Sequence, residues 1–79
     1  RRLWEAVAAL PAEDAAIVRW RYAEGLTVAA CARRAEVTVA AMESRLRRIM
    51  ERLRSALHRR WGREAAFAGL ALLLVRGHA

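Results

Sequence analysis

Met42, Leu46, Ile49, Leu53 and Leu57 recur at steps of four and three residues. That spacing keeps one side of an α-helix apolar for about four turns. A stripe of this length must lie against other helices, which commits the chain to helix-on-helix packing. Arg45, Arg47, Arg48, Arg52 and Arg54 fall mostly outside the stripe. The helix is expected to start in "TVAAMESRLRR" (38–48), where Thr38 can cap it.

The segments upstream read as shorter helices. "RRLWEAVAAL" sets Leu3, Val7 and Leu10 at helical spacing, with Trp4 alongside. "LPAED" opens a second helix: Pro11 suits the first helical position, and Glu13 and Asp14 favour the positive end of the helix dipole. It is expected to run to about Glu24. Gly25 can close it in the left-handed conformation, and Thr27 can cap a short third helix of small residues, about Val28 to Ala35. The turn "AEVT" joins this to the long helix. Short helix, tight turn, longer basic helix is the helix-turn-helix arrangement, though a small helical bundle can produce the same pattern.

Charge is concentrated where that long helix lies. The 79 residues carry a net charge of +7, and all fifteen basic residues are Arg. Residues 1–32 and 64–79 are balanced, so the excess falls in residues 33–63, where ten Arg face Glu36, Glu43 and Glu51. A basic segment between neutral flanks fits a polyanion-binding face. It also fits a solvated helix surface, and the nineteen alanines point to a coding bias that inflates the arginine count.

Three stretches together resemble a known family: "ALP" at 9–11, "RYAEGLT" at 21–27 and "ESRLRRIMERL" at 43–53. They are similar to region four of bacterial RNA polymerase sigma factors, the extracytoplasmic-function type. That family opens with Leu-Pro, continues with Arg-Tyr-x-Glu-Gly-Leu-Ser/Thr, and carries Ser-Arg-Leu inside its recognition helix. The likeness covers about residues 3–58, in order and spacing. Two-component response regulators have a similar helix-turn-helix but usually lack the Leu-Pro opening and the Ser-Arg-Leu signature.

The resemblance implies a DNA-binding domain that recognises the promoter element near position −35 and docks on the flap of the polymerase β subunit. Thr27 would contact a phosphate. Thr38, Val39, Ala40, Ala41 and Glu43 would face base edges or nearby backbone, and Ser44, Arg45, Arg47 and Arg48 would hold phosphates. The partners implied are double-stranded promoter DNA and the polymerase, with an anti-sigma protein as a further one. The rival is an interaction module that keeps the fold and reads promoters weakly. This chain departs from the family pattern at Ala15, at "ACA" (30–32), at Ala35 and Glu36, and at Ala41, Met42 and Glu43. The last of these reverses a charge in the reading helix. A glutamate there can accept a hydrogen bond from cytosine in the major groove; otherwise it repels phosphate.

Beyond "HRRWGRE", where Gly62 breaks the pattern, Ala65 to Val75 is almost unbroken apolar sequence. A bilayer span needs about twenty residues, so no membrane is expected. Phe67, Leu70, Leu72, Leu73, Leu74 and Val75 are apolar on too many sides to face water. The segment from about Arg63 to Val75 is therefore expected to be a helix buried on the domain, on a second copy or in a partner. Phe67, Leu70, Leu73 and Leu74 are the expected partner contacts.

The fold expected is all-α: a helix-turn-helix domain over residues 1–60 and an additional apolar C-terminal helix over 61–79. Catalytic chemistry is thin. His58 and His78 are far apart, and Cys31 stands alone, so neither a disulfide, a metal site nor a cofactor is expected. Cys31 reads as a small core residue, and Trp4, Trp20 and Trp61 read as core or interface anchors rather than base-stacking platforms. A lone thiol and no resemblance to a signal peptide fit a cytoplasmic chain. A start at Arg1 rather than Met fits a piece of a longer protein.

Overall fold

A computed structural model describes residues 2–77, with side chains through Val75. Five helices follow one another: α1 (Arg2–Ala8), α2 (Ala12–Val18), α3 (Val28–Ala35), α4 (Val39–Trp61) and α5 (Arg63–Gly77). No strand occurs among the described residues. The long axis of the molecule is 35 Å, the length expected of twenty-three residues of α4 rising about 1.5 Å each.

The apolar stripe of α4 is the centre of the core. Met42, Leu46, Ile49, Leu53 and Leu57 are all buried. Leu3, Ala6 and Val7 of α1, Ala15, Ile17 and Val18 of α2, and Cys31 and Ala32 of α3 close over them. Each large side chain buried this way is worth roughly 1.5–3 kcal/mol. Burial also pushes the Cys31 thiol above its ordinary pKa, which keeps it protonated and inert. Trp4, Trp20 and Trp61 pack partly buried against the same core.

The second helix departs from its expected form. Pro11 caps α2 from outside, with ψ at 145°, rather than occupying its first turn. After Val18 the chain widens into a π-helical turn, Arg19–Ala23. There the Glu24 N–H donates to the Arg19 carbonyl at 2.9 Å, and the Leu26 N–H reaches the Trp20 carbonyl at 2.9 Å. The helix expected to reach Glu24 is thus α2 continued by one wider turn.

Gly62 bends α4 into α5. Its φ of +95° is a conformation that side-chain-bearing residues rarely adopt. The bend lays α5 on α4, α1 and the π-helical turn. The two helices come close at Gly69, where an added Cβ would stand 3.0 Å from Leu57 Cδ1. Only one side of α5 is covered. Ala66, Gly69 and Leu73 are buried, whereas Phe67 is 77% exposed and Val75 71% exposed, with Leu72 and Leu74 also open to solvent. Within this chain, then, the apolar segment is not buried all round. A helix can press only one face onto a neighbour, and the opposite face meets no other element. No helix among the described residues is long and apolar enough to cross a membrane.

Candidate nucleic-acid interface

Two threonines start the two helices of the motif in the same way. The Thr27 hydroxyl accepts a hydrogen bond from the Ala30 N–H at 3.1 Å. The Thr38 hydroxyl accepts one from the Ala41 N–H at 3.1 Å. Each hydroxyl satisfies one free donor at its helix start and keeps its own proton to donate outward. Both residues are exposed.

The turn between the helices has a specific geometry. The Glu36 N–H donates to the Arg33 carbonyl at 3.1 Å, and the Val37 N–H to the Ala32 carbonyl at 3.0 Å. This pair of bonds is the Schellman closure of a helix, which calls for a left-handed residue. Glu36 takes that position with φ 59° and ψ 45°. Here a side chain holds a conformation usually given to glycine, and the turn forms regardless.

From Thr38 the reading helix shows solvent a coherent face. Thr38, Val39, Ala40, Ala41 and Glu43 are exposed, as are Arg47 and Arg48. Ser44 is half-buried and accepts a hydrogen bond from Arg47 Nη2 at 3.1 Å. Met42 and Leu46 point inward, at 0% and 8% exposure. The residues expected on bases therefore stand together on one open surface.

The arginines divide into two groups. Arg45 reaches across to α2, where its Nε and Nη2 both donate to Asp14 Oδ1 at 3.3 Å and Nη2 also lies 3.4 Å from Glu13 Oε1. One helical repeat further along, Arg52 donates to Asp14 Oδ2 at 2.8 Å. Asp14 is 6% exposed, the one buried charged residue among the described residues. Its two oxygens are held by two guanidiniums, the arrangement a buried carboxylate requires. Arg34 pairs with Glu24 at 3.2 Å and lies over the Trp20 ring. Arg54 pairs with Glu51 at 2.9 Å and lowers the pKa of that carboxyl by its hydrogen bond. Arg33, Arg47 and Arg48 are exposed and have no carboxylate partner among the described residues.

This division bears on the arginines that the resemblance sets on phosphate. Arg45 is engaged inside the chain, where the buried Asp14 carboxylate takes a cation, and Arg47 and Arg48 are left open. The Asp14 node escaped the sequence reading, which took Asp14 only as a favourable charge at a helix start. The seven-residue step from Arg45 to Arg52 puts two cations on one side of α4, but Arg47 and Arg54 share that step without reaching Asp14, so spacing does not mark the node. Leu73, expected at a partner surface, is fully buried in the chain's own core. Phe67, Leu70 and Leu74 line a shallow groove between α4 and α5. The tryptophans pack partly buried against the core, and the Arg2 and Arg60 guanidiniums lie over the Trp61 ring, at 5.7 and 5.0 Å from its centre.

The model of the family described as Sigma-70, region 4, matches residues 1–53, from α1 to the middle of α4. The chain belongs to the sigma-70 region 4 family. Sigma region 4 is a DNA-binding regulatory domain of transcription, not an enzyme, and it works with RNA polymerase. No curated protein and no solved structure matches the chain. In this region 4 domain the matched segment contains both caps, the left-handed turn and every residue of the open α4 face. The last two turns of α4 and all of α5 lie beyond it.

Proposed function

We propose that this region 4 domain belongs to a sigma factor of the extracytoplasmic-function type. It recognises the promoter element near −35 through the first turns of α4 and docks on the flap of the polymerase β subunit, in the cytoplasm. The observation that carries this reading is the pair Arg47 and Arg48, open to solvent directly behind a threonine-capped helix start. Cations in that position hold phosphates and fix the helix in the groove, while the residues ahead of them meet base edges. Thr27, at the start of α3, offers a hydroxyl proton to a neighbouring phosphate. Val39, Ala40 and Ala41 are suited to thymine methyl groups, and Glu43 to the amino group of cytosine. Readout of this kind rests on apolar contacts and one carboxylate, with few polar donors.

Glu43 and the alanines also support a second reading, a region 4 that keeps the fold and serves mainly as an interaction module for polymerase or an anti-sigma protein. Titration of the wild type and Glu43→Lys against a panel of duplexes separates the two. Base reading predicts that Glu43→Lys weakens one preferred duplex by about 1–3 kcal/mol and blurs specificity. A uniform gain on every duplex would mean that Glu43 only repels phosphate. No binding by either protein would leave the interaction module.

A further inference from the structure

The C-terminal half of α4 and the outer side of α5 enclose a shallow groove. Phe67, Leu70 and Leu74 give it an apolar strip two helical turns long, and Arg54, His58 and Arg63 border it. Phe67 and Leu74 are 77% and 54% exposed. No carboxylate lines the groove, and Arg63 has no ion-pair partner among the described residues. Of the six large hydrophobic side chains exposed among the described residues, two, Phe67 and Leu74, stand together in this groove beside Leu70. Apolar side chains left open side by side mark a surface that binds something.

We infer that this groove takes an amphipathic helix of an acidic partner, whose apolar side chains cover Phe67, Leu70 and Leu74 and whose carboxylates meet Arg63 and His58, Arg54 being held by Glu51. A strip repeating every three or four residues is what a helix laid in a groove requires of its receptor. The choice of partner follows from charge. A second copy would bring another +7 chain, and a two-fold contact would set the same three basic groups against themselves. A recessed strip between two helices also grips a cylinder better than it meets a flat lipid surface. The lining of the groove lies outside the residues matched by the family, and its α4 members, Arg54 and His58, continue the side of α4 that carries Arg47, two to three turns further along.

The test uses the full chain and a fluorescent helix-forming peptide with leucines on one face and glutamates flanking them. Its controls are a peptide with lysines in place of the glutamates and a scrambled peptide of the same composition. The glutamate-flanked peptide binds, and both controls bind about tenfold more weakly or not at all. Phe67→Ala, a change at an exposed residue that leaves the melting temperature in place, weakens the peptide about tenfold, a loss of about 1.4 kcal/mol. Arg63→Glu reverses the preference towards the lysine-flanked peptide. Equal binding of the scrambled peptide would reduce the effect to net charge and overturn the inference. So would a wild-type dimer abolished by Phe67→Ala, or binding to anionic vesicles in place of the peptide. Duplex binding by Phe67→Ala, which leaves the charge unchanged, stays at the wild-type level when measured in parallel, so the two proposals fail separately.

Discussion

In α4, five apolar side chains turn inward and the arginines turn either to solvent or to a buried carboxylate. In α5, which lies along it, Phe67, Leu70, Leu72, Leu73, Leu74 and Val75 are spread around the helix, and of these only Leu73 is fully buried. The two helices share a core and divide the work differently. Segregation in α4 creates the core and an ordered polar face at once, since each residue kept out of the stripe is displayed in a defined direction. The lack of segregation in α5 secures its attachment to α4 and leaves an apolar surface open. On the readings proposed above, the face of α4 meets a polyanion and the open apolar face of α5 meets another protein.

The comparison is broken most severely at the core. Leu53→Ala, at a position with 0% exposure, should lower stability by about 2–5 kcal/mol. Leu72→Ala on α5, at 60% exposure, should change it by no more than about 0.5 kcal/mol. Urea denaturation of both variants reads the contrast directly, and equal losses would mean that the outer face of α5 is covered after all. The next effect concerns the charge node. Asp14→Ala leaves Arg45 and Arg52 without their carboxylate. Both can still reach water, with side chains 32% and 58% exposed, so the cost should be about 1–2 kcal/mol rather than that of a fully buried pair. A double-mutant cycle between Asp14→Ala and Arg45→Ala should return a coupling of at least about 0.5 kcal/mol. The smallest effect lies in the turn. Glu36→Gly relieves the left-handed strain at φ 59° but enlarges the freedom of the unfolded chain. The balance should favour the folded state by about 0.5–1 kcal/mol, visible as a higher melting temperature. A lower one would show that the Glu36 side chain contributes something its backbone conformation does not reveal.

Much of the α4 side of the comparison could be read from sequence. The steps from Met42 to Leu57 identify the buried face, and Thr27 and Thr38 mark the helix starts that their hydroxyls then cap. Short-range geometry decides these features, and the chain carries it locally. The fate of Arg45 is different. It depends on Asp14, thirty-one residues earlier, and nothing in the spacing of α4 alone separates an arginine held by a buried carboxylate from one facing solvent. The π-helical turn after Val18 is similarly hidden, because Trp20 and Tyr22 are compatible with either winding. On α5 periodicity could not choose a face, since an apolar run offers every face equally. Gly69 was the available sign: the absence of a side chain there lets α5 approach Leu57.

The central claim is that duplex DNA meets the open face of α4 through Arg47 and Arg48, while Arg45 belongs to the fold. A salt titration of duplex binding, run at a temperature where every variant is folded, tests it most directly. The wild type should lose affinity steeply with salt. Arg47→Ala and Arg48→Ala should each reduce the log–log slope by about 0.9, the value for one phosphate contact on duplex DNA. Arg45→Ala should leave that slope unchanged while lowering the melting temperature. Wild-type slopes for Arg47→Ala and Arg48→Ala, or an equal reduction for Arg45→Ala, would contradict the account.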